Sequence, residues 1–218
     1  MSDILAELDE QMRAERLEKI WHDHKHWIIG TIAAILIATL AVSMYQKWDK
    51  AQNVKGTAAL YAIMDDATFP NNVDANTDLS AMRGGVQAVL LLNAAHGYVA
   101  QEQEAEAMAL YGRLIDEADA PESLKSLAHL MRAKLEALQE TPDTDAIMAD
   151  LNAIDDNSAF FAQGAMEKAI VYAQKDDFDA ALEALETIKN TPLLPDTLYL
   201  KAQSLTHVYS LKKGASAK

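Results

Sequence analysis

The hydrophobic pattern begins with an uninterrupted apolar run from Trp27 to Tyr45. The run has no charged residue and no proline, and its 19 residues would reach roughly 28 Å as a helix, close to the ~30 Å hydrocarbon core of a bilayer. The aromatic residues at its two ends are of the types enriched at the level of lipid headgroups. The pattern therefore predicts a transmembrane helix over 27–45, which includes Trp27, Ile28, Leu36 and Tyr45.

Two other interpretations of this run are a buried helix of a soluble domain and a cleaved signal peptide. A core helix of this length usually shows a polar stripe, whereas the hydroxyl groups of Thr31, Thr39 and Ser43 are scattered. A signal peptide has a short basic leader, whereas 26 acid-rich residues precede this run. Ala41 and Ser43 still form an acceptable cleavage site, so the sequence favours an uncleaved anchor and leaves cleavage open.

The segments on either side of the run have weaker patterns. Residues 1–26 predict a polar amphipathic helix whose apolar face carries Met1, Leu5, Leu8 and Met12. Helical spacing resumes after the run and stops near Pro70, where a cluster of Asn and Asp residues has no period. Residues 46–78 are therefore predicted to form a membrane-proximal helix and a linker.

The remainder of the chain has the periodicity of helices. From Leu79 onward apolar residues recur at helical spacing in segments of about 12–20 residues, and no alternating strand pattern occurs. The sequence therefore predicts an all-α domain over 79–211, followed by a flexible basic tail over 212–218.

Two helix starts have local signals. The clearest helix, 121–138, is preceded by Asp119 with Glu122 three residues later, which is a capping-box arrangement. Thr141 followed by Pro142 predicts the start of the next helix in a similar way, since proline is favoured in the first turn.

The domain contains an internal repeat. Two segments align without a gap at a separation of 74 residues. In each copy a tyrosine is followed nine residues later by alanine and four residues after that by a large apolar residue: Tyr98, Ala107 and Tyr111 in the first, and Tyr172, Ala181 and Leu185 in the second. A small residue allows two antiparallel helices to cross closely while bulky neighbours fill the groove. Each copy is therefore predicted to be a packed helix pair.

This spacing resembles the tetratricopeptide repeat, whose first helix has small-residue and tyrosine positions matched here by Ala95 and Tyr98 and by Ala169 and Tyr172. The match is partial, because the glycine near the turn is absent. The tryptophan and leucine positions early in the first helix are replaced by Leu91 and Ala94 in one copy and by Ala165 and Lys168 in the other.

Further helices complete the repeat domain. A degenerate unit, 121–154, lies between the two copies, and the last helix, 195–211, has no partner in the sequence. The resemblance implies an N-terminal transmembrane helix followed by a tetratricopeptide-like α-solenoid of antiparallel helix pairs. An irregular helical bundle is the alternative.

Charge and composition exclude several classes of function. The chain has a net charge of −14, and residues 56–218 alone contain 25 Asp and Glu against 12 Lys and Arg. Such a domain repels phosphate backbones, so nucleic-acid binding is not expected. Cysteine is absent, which excludes disulfides, thiolate zinc sites and cysteine nucleophiles.

No catalytic pattern is present in the sequence. There is no Gly-x-Ser-x-Gly motif and no phosphate-binding glycine loop, and the paired carboxylates lie where helices start or end. Single histidines at 96, 129 and 207 lie on different predicted helices, and His22 and His26 supply two possible metal ligands without a third. The sequence therefore predicts no enzyme, no cofactor, no metal and no small-molecule substrate.

The layout of the chain resembles one family in particular. An acidic N-terminal helix, one span and divergent tetratricopeptide repeats are similar to the YfgM-like ancillary subunits of the Sec translocon, over nearly the whole length. The resemblance implies a single-pass protein of the bacterial inner membrane, with residues 1–26 in the cytoplasm and the repeats in the periplasm. The implied partners are the SecYEG translocon, periplasmic chaperones or translocating polypeptides.

In this repeat architecture, first-helix residues one turn apart line the concave face. The resemblance places Val89, Leu92, His96 and Val99 there in one copy, and Gln163, Met166, Ile170 and Ala173 in the other. These residues are mainly apolar, so the groove would suit an apolar segment of a partner. The alternative is that some of them are core residues covered by a neighbouring helix.

Three hypotheses of function follow. The first is a membrane-anchored subunit ancillary to the translocon, and the second is a scaffold for envelope assembly or cell division. The third, a membrane-bound hydrolase, would require an acid and a base that converge in a pocket.

Overall fold

The computed structural model describes residues 39, 41–80, 82–189, 191 and 194–216. Residues 41–64 are helical (α1). Seven helices follow: α2 (Gly84–Ala100), α3 (Glu104–Asp116), α4 (Glu122–Glu136), α5 (Thr144–Asn152), α6 (Phe161–Gln174), α7 (Phe178–Lys189) and α8 (Asp196–Ser216). No strand occurs among the described residues, so the prediction of an all-α chain is confirmed for them.

The chain divides into two compact units, Met1–Gln52 and Asn53–Lys218. In the first unit the described part is helical, and Tyr45 and Trp48 are exposed with ring centroids 6.2 Å apart. The predicted segment 1–26 and the residues Trp27, Ile28 and Leu36 of the predicted span lie outside the described residues. Within the described part of the chain, no helix combines the length and the apolar character needed to cross a bilayer.

In the second unit each helix from α2 to α7 packs against the next one along the chain. Helix α6 also contacts both α4 and α8, so alternate helices lie side by side. Alanine occupies buried positions of the core, since Ala95 and Ala107 in the first copy and Ala169 and Ala181 in the second are fully buried. Large side chains such as Tyr111 and Leu185 fill the space beside them. The alanines identified in the repeat are therefore at the helix contacts.

The two copies of the repeat have the same local structure. Helices α2 and α6 end, and α3 and α7 begin, at positions exactly one 74-residue offset apart. In the turn between α2 and α3 the backbone N–H of Gln103 donates to the carbonyl of Tyr98 at 2.9 Å. In the turn between α6 and α7 the backbone N–H of Asp177 donates to the carbonyl of Tyr172 at 3.0 Å. This hydrogen bond closes a Schellman motif at the end of each first helix.

The predicted linker is part of the packed domain. Residues 65–80 and 82–83 lack regular structure, but Val73 is fully buried and its carbonyl accepts a hydrogen bond from the Tyr98 hydroxyl at 3.0 Å. Arg113 donates to the carbonyls of Asp74 and Thr77. The compact unit that contains α2 to α8 extends from Asn53 to Lys218, so this segment belongs to it. The buried residues of this segment do not recur at a regular spacing along the chain, so the hydrophobic pattern did not reveal them.

Three local predictions were wrong. Helix α4 has Pro121 as its N-cap, with no side-chain hydrogen bond, so Asp119 and Glu122 form no capping box. Helix α5 is capped by Asp143, whose side chain accepts from the N–H groups of Asp145 and Ala146. The tail is not a flexible segment from 212, because α8 continues to Ser216.

Two contacts join the last turns of α8 to the start of α7. Lys213 forms an ion pair with Asp179 of α7, and the Lys212 ammonium lies 5.9 Å from the ring centre of Phe178. The side chains of Lys213 and Asp179 are both exposed, so this ion pair contributes little stability by itself.

Candidate functional site

The predicted stripe on α2 is partly open to solvent. Val89 and His96 are exposed, whereas Leu92 and Val99 are half-buried and pack against the core that α2 and α3 form. The surface that a partner could contact on this helix is therefore narrower than predicted.

The predicted stripe on α6 is interrupted by the core. Gln163 is exposed and Ile170 is half-buried, but Met166 is only 3% exposed and belongs to the cluster that α6, α7 and α8 share. Ala173 packs against the same cluster. Because α8 packs on this side of α6, Met166 cannot line an open groove.

An open groove lies instead along a neighbouring face of α6. It has a volume of ≈ 410 Å³ and runs between α6 and α7 at the end of α5. Its lining residues are Asn152, Asp156, Phe161, Ala165, Lys168, Tyr172, Ala180, Glu183, Ala184 and Thr187. We call this the α6–α7 groove. The four residues from α6 are spaced by four, three and four positions, so they form one continuous helical stripe.

Lys168 is the only cationic residue in the lining of this groove. It is half-buried, and its ammonium makes no hydrogen bond or ion pair with the residues that the structure describes. Burial lowers the pKa of the Lys168 ammonium, and the negative charge of Asp156 acts in the opposite direction. The sequence offered one signal that Lys168 is unusual, since it stands at a position where the tetratricopeptide pattern has an apolar residue.

A second polar cluster joins α4 to α5. Asp150 is 6% exposed, and its carboxylate accepts from Arg132 Nε at 2.7 Å and from His129 Nδ1 at 2.8 Å. Burial raises the pKa of the Asp150 carboxyl, but the hydrogen bonds from His129 and Arg132 and their charges outweigh it, so this pKa is lowered. The same contact raises the pKa of Arg132.

The arrangement of this cluster suits a structural ion pair. A cavity of ≈ 420 Å³ adjoins it, lined by Met108, Arg132, Glu136, Ala146, Ala149 and Asp150. Both oxygens of Asp150 already accept hydrogen bonds, so the carboxylate is held as an anion between two helices.

Other groups named from the sequence have local roles. Asp66 and Asp155 accept hydrogen bonds within turns, and Asp177 accepts from the N–H of Ala180 at the start of α7. His96 and His207 are exposed on separate helices. In the described part of the chain, no three His, Asp or Glu residues are placed to hold a metal ion.

Comparison with known proteins adds no constraint on function. No protein-family model matches the sequence, and no curated protein or solved structure is similar to it. The repeat, the α6–α7 groove and the buried ion pair are therefore the features from which a function is inferred.

Proposed function

We propose that this chain is a non-enzymatic, membrane-anchored protein-interaction subunit, ancillary to the Sec translocon. In this proposal residues 27–45 span the bacterial inner membrane once and the N-terminus is cytoplasmic. A tetratricopeptide-like repeat domain in the periplasm then presents its surface to translocating polypeptides or to chaperones.

The observation that carries the proposal is the duplicated helix pair. The two pairs, α2 with α3 and α6 with α7, coincide at an offset of 74 residues in the helix ends that flank the turn and in the hydrogen bonds of that turn. Stacked helix pairs of this kind commonly serve as extended binding surfaces, because each added pair enlarges one continuous face. The α6–α7 groove gives this surface a concave site.

Anchoring is supported by the N-terminal sequence. The apolar run of 27–45 has the length of a span, and the exposed rings of Tyr45 and Trp48 are of the types favoured at a lipid interface.

Co-purification tests the proposal. SecY is expected to accompany the full chain from gently solubilised membranes and to be lost when residues 1–50 are deleted. If the partner is retained by the released repeat domain, an envelope-assembly or division scaffold is favoured instead. Absence of SecY from the intact complex would contradict the translocon assignment.

Photo-crosslinking locates the contact. Photoreactive residues at Leu36, in the predicted span, and at Gln163, exposed on α6, are expected to capture translocon and client proteins respectively. Ala109 is the control, because it is exposed on α3 and lies outside the predicted stripes on α2 and α6. Equal capture at all three positions would mean that no particular surface is used.

A further inference from the structure

We propose that the α6–α7 groove binds a protein segment through a single carboxylate, which pairs with Lys168, and through an apolar side chain beside that carboxylate. This inference rests on the proposed role in protein binding and names the chemistry of the segment that is bound.

Lys168 differs in ion pairing and in burial from Lys189 and Lys213 of the same domain. Lys189 and Lys213 form ion pairs with Glu186 and Asp179 on the surface. Lys168 is half-buried, and no carboxylate among the described residues lies within ion-pair distance of its ammonium. A partly desolvated ammonium with three unused donors is the strongest attraction for an anion in this groove.

A carboxylate is the anion that a protein segment supplies. Its hydrogen bonds with an ammonium are charge-assisted and are roughly twice as strong as those between neutral groups. Burial of Lys168 strengthens the pairing further, because the effective dielectric constant is lower there than at an exposed site.

The walls beside Lys168 suit an apolar side chain. Phe161 and Tyr172 lie on the same helical stripe, one on each side of the lysine. Ala165 and Ala184 leave room between the two helices, and the groove volume of ≈ 410 Å³ falls within the range of sites that bind small ligands. An apolar residue next to the carboxylate would therefore pack against the ring that lies on its side of Lys168.

Two exposed acids restrict the ligand further. Asp156 and Glu183 also line the groove, and each repels every negative charge of the bound segment. Direct contact with the Lys168 ammonium offsets this repulsion for one carboxylate but not for further acids elsewhere in the groove. A run of acidic residues is thus disfavoured, whereas one carboxylate next to an apolar residue is accepted. Specificity comes from the repulsion as well as from the attraction.

Fluorescence anisotropy of labelled peptides on the purified full chain tests the inference. The probe is a serine-glycine peptide that ends in phenylalanine and leucine with a free carboxyl group. The same peptide amidated at its C-terminus is the first comparison. An amidated peptide with one internal glutamate before the phenylalanine distinguishes a side-chain carboxylate from a terminal one.

We expect Lys168→Gln to weaken binding of the free-carboxyl peptide by about tenfold, the loss of one charge-assisted hydrogen bond. Lys168→Arg should retain most of the affinity because it keeps the charge. Lys175→Gln is the matched control, since Lys175 is exposed in the turn after α6 and should change binding less than about twofold.

Two results would overturn the inference. One is that the free-carboxyl peptide, the amidated peptide and the amidated glutamate peptide all bind equally to the unmodified chain. The other is unchanged binding by a folded Lys168→Gln variant. In both cases client crosslinking from Gln163 would still decide the proposed function, so the two failures are distinguishable. Because the amidation comparison uses only the unmodified chain, it remains decisive if a variant fails to fold.

Discussion

Glu102 and Asp176, which are 74 residues apart, both adopt the left-handed backbone conformation, with φ of 59° and 60°. Each is the first residue after the C-cap of its helix, and its N–H donates to a carbonyl of the last turn. Glycine is the residue favoured at this position, because it has no Cβ to crowd the neighbouring carbonyl. The two copies of the repeat therefore share an unfavourable residue choice as well as a fold.

Glu102→Gly is expected to give a more stable chain than Gln101→Gly, and Asp176→Gly a more stable chain than Lys175→Gly. The left-handed conformation costs an L-residue about 1–2 kcal/mol, and glycine removes this cost. The matched controls are Gln101→Gly and Lys175→Gly, since both residues have negative φ and gain nothing from glycine. The free energy of unfolding, measured by urea denaturation of the full chain, should differ by about 1 kcal/mol within each pair. Equal free energies of unfolding within a pair would contradict the expected cost of the left-handed conformation.

The helices of the repeat could be predicted from sequence because their signals are local. The spacing from Tyr98 to Ala107 and from Tyr172 to Ala181 depends on contacts within one helix pair, and the structure places both alanines in the core. The turn between the helices could not be predicted, because Glu102 carries no signal for positive φ. The turn is imposed by the helices that it connects.

The face of α6 that carries the candidate site could not be predicted from local sequence signals. Met166 and Lys168 are two residues apart on α6, but α8 packs over the side that holds Met166 and leaves Lys168 in a groove. That choice depends on a helix that begins at Asp196. Packing of the aperiodic segment around Val73 is a similar case, since its partner is Tyr98 on another element.

Tyr98→Phe is expected to destabilise the chain by about 1–3 kcal/mol, because the carbonyl of Val73 would be left buried without its donor. Tyr172→Phe is the control at the equivalent position of the second copy. The Tyr172 hydroxyl has no hydrogen-bond partner among the described residues, so its loss should change stability by less than about 0.5 kcal/mol. Urea denaturation of both variants would reveal the difference, and equal effects would argue against the buried hydrogen bond.

Gly84→Ala should disrupt the domain far more than Gly85→Ala. A Cβ at Gly84 would overlap the backbone carbonyl of Asp119, which cannot move without displacing the connection between α3 and α4. A Cβ at Gly85 meets no atom, and alanine in a helix is favoured over glycine by about 1 kcal/mol. Thermal unfolding monitored by circular dichroism should therefore show a lower midpoint for the first variant and an equal or higher one for the second. The reverse order would contradict the close approach of α2 to this connection.

Asp150→Asn is expected to destabilise the chain at neutral pH by about 3 kcal/mol, because Arg132 would lose its buried counter-charge. The folded pKa of Asp150 is lowered, so its contribution is fully present above the unfolded pKa of about 3.9 and is lost as pH falls through the folded value. The difference between the unmodified chain and Asp150→Asn should therefore be constant near pH 7 and shrink on acidification below about pH 4.

Urea denaturation at a series of pH values would measure this convergence. Asp145→Asn is a suitable control, since Asp145 lies exposed in the first turn of the same helix and its charge acts mainly on the helix dipole. We expect it to cost less than about 1 kcal/mol at neutral pH. If the cost of Asp150→Asn were the same at low and neutral pH, the carboxylate charge would not be what holds α5 to α4. In that case the shape and the neutral hydrogen bonds of the side chain would account for the contact between the two helices.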